Sequence, residues 1–107
     1  MALEVAKEIL QQLGGNMAMK MIGGYNLVGD DNSFSFKWKA TTKERMNYCK
    51  ITLTPLDVYH VEFGRILGTN YTKLHECDEV YCDTLVETFE STTGLLLSLF
   101  PKQHSYG

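Results

Sequence analysis

The side chains with the chemistry of metal ligands are His60, His75, Cys77 and Cys82. Zinc sites usually present such residues as Cys-x-x-Cys pairs or as histidines at helical spacing, and this sequence has neither pattern. Together with Cys49 the cysteines number three, an odd count that argues against a disulfide framework. We therefore expect free thiols, no metal ion and no cofactor.

Few residues are arranged for acid–base or nucleophilic catalysis. His60 and Glu62 stand two residues apart, which places them on one face of a strand as a pair that suits either proton transfer or a plain surface contact. Cys49 alternates with apolar residues on the face expected to join the core, where a reactive thiolate is disfavoured. The sequence has no nucleophile elbow, phosphate loop, zinc-protease motif or dinucleotide fingerprint. We predict a protein without enzymatic activity.

Carboxylates are concentrated near the end of the chain, where residues 74–100 carry six acidic side chains and no Lys or Arg. Asp83, Glu87 and Glu90 recur at four- and three-residue steps, the spacing of one side of a helix. The acidic surface predicted here comprises five carboxylates: Glu76, Glu79, Asp83, Glu87 and Glu90. Such a surface would bind a basic groove on another protein, unless it is simply a solvated helix face.

Basic residues lie mainly in the preceding part of the chain. Residues 37–73 carry seven basic and three acidic side chains. Lys37, Lys39 and Lys50, with Tyr48, are expected on the solvent face of a sheet, where lysines bind phosphates and an aromatic ring stacks on a base. Nucleic-acid binding is thus the alternative function, although the net charge of −3 argues against it.

The whole chain of 107 residues has the length and composition of a single domain. Helices are predicted at about residues 2–14, ending at Gly14-Gly15, and at about 78–93, with Asp78 as N-cap. Alternating patterns predict four or five strands between about 17 and 75, the first of them carrying Met17, Met19 and Met21 on one face. Short connections favour an antiparallel meander, so we predict an α+β fold whose sheet is flanked by an N-terminal and a C-terminal helix.

The apolar segment 95–100 must be covered. It either docks onto the chain's own sheet or forms a homodimer seam through Leu95, Leu96, Leu97, Leu99 and Phe100. It is far shorter than the roughly 20 apolar residues of a membrane helix, and the chain opens without the basic and apolar regions of a secretory signal. A cytoplasmic protein without membrane contact is expected.

Several stretches resemble a family of small uncharacterised proteins encoded by bacteriophages and integrated bacterial elements. They are residues 6–16 (AKEILQQLGGN), 47–53 (NYCKITL), 57–63 (DVYHVEF), and 80–82 (VYC) through 92–95 (TTGL). The resemblance brings no established activity and no functional residue. It implies a phage-encoded protein that works in the cytoplasm of a bacterial host by binding a host protein or nucleic acid, for example as an inhibitor of host defence.

Overall fold

The computed structural model describes residues 3–40 and 42–97. Within them three α-helices and five strands follow the order α1 (Glu4–Leu13), α2 (Gly15–Ile22), β1 (Tyr25–Gly29), β2 (Ser33–Lys37), β3 (Tyr48–Leu53), β4 (Tyr59–Leu67), β5 (Asn70–Val80) and α3 (Leu85–Thr93). A short 3₁₀ turn, Lys43–Arg45, precedes β3. None of the helices in the described part of the chain is long and apolar enough to cross a membrane.

The five strands form one antiparallel sheet in the order β1-β2-β3-β4-β5. Each strand therefore pairs with its neighbour in sequence, as expected where connections are short. The predicted α+β meander, with helices at the two ends of the sequence, is confirmed.

The hydrophobic core lies on one side of the sheet, which we call the inner face. Phe36, Trp38 and Phe63 come from the β2–β4 region, and their rings surround Phe89 of α3 at centroid distances of 5.8, 5.3 and 6.1 Å. Helix α1 packs on the same side, where Gln12 Oε1 accepts a hydrogen bond of 2.8 Å from the Tyr59 hydroxyl. The molecule thus has two layers, one of helices and one of sheet.

The strand predicted at Met17–Met21 is wrong, because these residues belong to α2. The buried positions are Ala18, Met19 and Ile22, a helical spacing, whereas Met17 is 67% exposed. Methionines two residues apart suggested alternation, but only Met19 of the three is fully buried. The Gly14-Gly15 pair does end α1, as predicted, and a second helix starts at once.

The predicted boundary between the last strand and the last helix is also wrong. Strand β5 continues to Val80, which pairs with Tyr59, and α3 begins only at Leu85. Asp78 is therefore a strand residue and caps no helix. The sequence reading failed here because a bulge with Glu79 at φ +56° interrupts the alternation of β5.

The apolar segment after α3 packs partly onto its own chain. Leu97 is 3% exposed and joins the core, Leu95 is half-buried, and Leu96 is 51% exposed. The Leu97 amide donates a hydrogen bond of 2.9 Å to Glu90 Oε2. Leu99 and Phe100, the other residues of the predicted dimer seam, lie outside the described residues.

Candidate nucleic-acid interface

The outer face of the sheet, opposite the core, carries a row of residues in register across all five strands. The Cα partners follow one another from β1 to β5: Tyr25, Lys37, Tyr48, Gly64 and Lys73. We call these five the Lys–Tyr row. Since neighbouring strands lie about 4.8 Å apart, the row spans about 19 Å.

Strand alternation explains why these side chains share the outer face. In β2 the buried aromatic residues are Phe34 and Phe36, so Lys37 points away from the core. In β3 the buried residues are Cys49 and Ile51, so Tyr48 and Lys50 point outwards. The structure thus brings together Lys37, Tyr48 and Lys50 of the predicted basic site.

Lys39 joins the same region from the segment that follows β2. Its Nζ lies 5.5 Å from the ring centroid of Tyr25, a cation–π distance. Tyr25 itself is 39% exposed, and Lys39 is exposed. All four residues of the predicted basic site therefore lie at or beside the Lys–Tyr row.

Tyr71 of β5 covers the glycine of the row. Its hydroxyl donates a hydrogen bond of 2.5 Å to Glu62 Oε2, and its ring meets that of Tyr48 edge-on at a centroid distance of 5.4 Å. Burial first, and then the hydrogen bond to Glu62, raise the pKa of the Tyr71 phenol well above its ordinary value. The phenol therefore keeps its proton at neutral pH and remains a donor to Glu62.

A second row runs beside the first, two residues along β2, β3 and β4 and three residues along β5, and has a different character. Its Cα partners are, in order from β2 to β5, Ser35, Lys50, Glu62 and Glu76. Glu76 contacts Lys73 Nζ at 3.3 Å and His60 Nε2 at 2.7 Å, and the Nδ1 atom of His60 contacts Asp78. The outer face is thus divided between a basic, aromatic row and a group of carboxylates around His60.

The acidic surface predicted from the sequence is not a single helical row. Glu76 and Glu79 lie in β5, Asp83 lies in the turn before α3, and only Glu87 and Glu90 lie in α3. Two of the five carboxylates already have partners within the chain, Glu76 on the sheet and Glu90 at the Leu97 amide. The remaining three are exposed.

The residues considered for metal binding and catalysis are separated. Among residues 3–40 and 42–97, no group of three or more His, Cys, Asp or Glu side chains could hold a metal ion. His75 Nε2 lies 2.5 Å from Glu44 Oε1 at an open cleft also lined by Ser91 and Thr92.

The histidine pair and the thiols expected from the sequence have other surroundings. His60 contacts Glu76 and Asp78, whereas Glu62 binds Tyr71. Cys49 is fully buried, and burial raises the pKa of its thiol, which disfavours the reactive thiolate in the folded protein.

Sequence reasoning missed Tyr25, Glu62, Tyr71 and Lys73 as members of this face. The alternation of Tyr71, Thr72 and Lys73 was a usable signal, because it places Tyr71 and Lys73 on one side of β5. The fold and this face define the protein as an α+β domain with one open, partly basic sheet surface. No protein-family model, curated protein or solved structure matches the chain.

Proposed function

We propose that the protein is a non-enzymatic binding protein that holds single-stranded nucleic acid on the Lys–Tyr row. The observation that supports this most is the register itself, which sets Lys37 and Lys73 on either side of Tyr48 along one line across the sheet. Proteins that bind single strands combine lysines that follow the phosphates with aromatic rings on which bases stack.

The form of the surface favours a single strand over a duplex. A sheet face has no helix or ribbon that could enter a major groove, whereas unpaired bases can lie on aromatic side chains. Tyr25 and Tyr71 are 39% and 42% exposed, so their rings are accessible to a base.

The acidic net charge is compatible with this proposal because the charges are separated along the chain. From residue 74 to residue 97 there are six carboxylates and no Lys or Arg. Five of the six, all except Glu76, lie outside both rows of the sheet face. The Lys–Tyr row itself contains no acidic residue.

Fluorescence anisotropy with a labelled octathymidylate, measured over a range of salt concentrations, tests the proposal. Lys37→Ala, Lys39→Ala and Lys50→Ala should each weaken binding and reduce the slope of log Kd against log salt by about 0.7. The matched control is Lys7→Ala, which removes one exposed lysine from α1 on the other side of the sheet. Binding that is indifferent to salt, or equal losses in the Lys7 variant, would contradict the proposal.

A second candidate function is binding of a basic host protein by the acidic surface. It is supported by the exposure of Glu79, Asp83 and Glu87 and by the absence of Lys and Arg from residues 74–97 of the sequence. The resemblance to phage proteins adds the proposal that such a partner belongs to a bacterial host, as a target of inhibition.

Charge reversal tests this second function. The tagged chain should retain the host protein from a bacterial lysate even after nuclease treatment. The double variant Asp83→Lys with Glu87→Lys should abolish this retention, with little change in Tm. Glu90 is left intact because its carboxylate binds the Leu97 amide. The control is Glu4→Lys with Glu8→Lys on α1, which changes the net charge by the same amount. Retention unchanged in the Asp83, Glu87 variant would exclude the acidic surface as the binding site.

A further inference from the structure

Glu62 is a carboxylate placed beside the Lys–Tyr row, where it would repel phosphates. It lies in β4 two residues from Gly64 and is half-buried. Its Oε2 atom accepts the Tyr71 hydroxyl, whereas Oε1 takes part in no hydrogen bond or ion pair within residues 3–40 and 42–97. Oε1 and the second lone pair of Oε2 thus stay available as acceptors next to an exposed aromatic ring.

We infer that Glu62 makes the Lys–Tyr row prefer guanine over thymine, an inference that rests on the nucleic-acid function proposed above. The Watson–Crick edge of guanine presents two adjacent donors, N1–H and the N2 amino group. An ionised carboxylate is an acceptor only and can take both of these donors. The same edge of thymine has a single N–H between two carbonyl oxygens, which a carboxylate repels.

The position of Glu62 fits this role because Tyr71 holds it at the end of the aromatic ring. A base stacked on the Tyr71 ring can turn its Watson–Crick edge towards the ring's hydroxyl, where the Glu62 carboxylate lies. The carboxylates of Glu62 and Glu76 are cross-strand partners, and they disfavour a phosphate at the β4–β5 end of the second row. The backbone is therefore directed to the lysines of the first row and to Lys50, the β3 partner of Glu62, and the bases are directed towards Glu62.

Three labelled octamers provide the test: octathymidylate, and the same octamer with guanine or hypoxanthine at its two central positions. Hypoxanthine keeps N1–H and lacks the N2 amino group. The full-length protein should bind the guanine octamer about fivefold or more tightly than octathymidylate, with the hypoxanthine octamer in between. In Glu62→Gln this preference should disappear, because an amide no longer offers two acceptor oxygens.

Glu87→Gln is the matched control, since it removes an equal charge from α3 outside both rows and should leave the preference unchanged. If all three octamers bind with equal affinity, Glu62 does not have the inferred role. If Lys37→Ala still weakens that binding, the proposed function remains supported. Failure to bind any octamer would overturn both. A preference that survives in Glu62→Gln would assign the selectivity to another residue and also overturn the inference.

Discussion

The ring of Tyr71 lies against the backbone of Gly64, so close that a Cβ atom added to Gly64 would stand 2.3 Å from Tyr71 Cε1. Real Cβ contacts do not approach this distance, so the ring occupies the space that any other residue at position 64 would fill. Because Gly64 has no side chain, the Tyr71 ring can lie beside Tyr48 and within hydrogen-bonding distance of Glu62.

Gly64→Ala should destabilise the protein by about 1 kcal/mol, because the Tyr71 ring must move aside and lose its hydrogen bond to Glu62. In a Tyr71→Ala background the same substitution should cost nothing or stabilise the strand, since alanine suits a strand interior better than glycine. Urea unfolding of the four proteins gives the coupling free energy directly. An equal cost in both backgrounds would show that Tyr71 is not what excludes a side chain at position 64.

Tyr71 should also make stability depend on alkaline pH. Burial and the bond to Glu62 raise the pKa of Tyr71 above its ordinary value of 10.0, so its stabilising contribution is complete below pH 10 and is lost as the pH rises further. Between about pH 9 and about pH 11, the free energy of unfolding of Tyr71→Phe should therefore fall less than that of the unmodified protein. Tyr81→Phe serves as control, because the Tyr81 hydroxyl makes no hydrogen bond within residues 3–40 and 42–97. Parallel pH curves for Tyr71→Phe and the unmodified protein would be the contrary result.

Glu90 should hold the segment after α3 in place. Glu90→Ala removes the acceptor of the Leu97 amide, so that amide should exchange with deuterium faster, and stability should fall by about 1 kcal/mol. Glu87→Ala, three residues earlier in the same helix and exposed, should change stability by less than about 0.5 kcal/mol. Hydrogen exchange measured by mass spectrometry, together with urea unfolding, checks both values. Identical exchange of Leu97 in the two variants would argue against this contact.

The three cysteines should react with iodoacetamide in the order of their exposure. Cys82 is exposed, Cys77 is half-buried, and Cys49 is buried with a raised thiol pKa. Because the thiolate is the reactive species, Cys49 should be modified only when the protein unfolds. Peptide mapping before and after addition of urea tests this order. Early modification of Cys49 in the native protein would show that its strand opens readily.

Secondary structure was predicted best where the hydrophobic residues follow one clear periodicity. In β2 the alternation of Phe34 and Phe36 with Lys37 identified both the strand and the direction of each face. In α2 the apolar residues are nearly continuous, so alternation and helical spacing could not be separated by periodicity alone. The end of β5 was missed because the bulge at Glu79 breaks the pattern by which a strand is recognised.

Lys37 and Lys50 could be predicted because they belong to consecutive strands with clear alternation. Lys37 and Tyr48 proved to be Cα partners, but nothing in the sequence fixed that register. The position of Tyr71 over Gly64 follows a bulge at Leu74, which stands opposite Phe63 and Gly64 without a Cα partner, and composition and spacing do not encode this feature of cross-strand pairing. The prediction that the acidic surface forms one side of a helix was wrong for a simpler reason. Asp83 precedes α3, the helix in which it was predicted to lie.

The meander order of the sheet has a consequence for folding kinetics. Every strand pairing joins neighbours in sequence, so each hairpin can form by closing a short loop, and the relative contact order contributed by the sheet is low. The long-range step is the contact of α1 with α3, which brings together the two ends of the described chain. We expect the β3–β4–β5 hairpins to gain amide protection before α1 does in pulse-labelled refolding, and simultaneous protection would contradict this order.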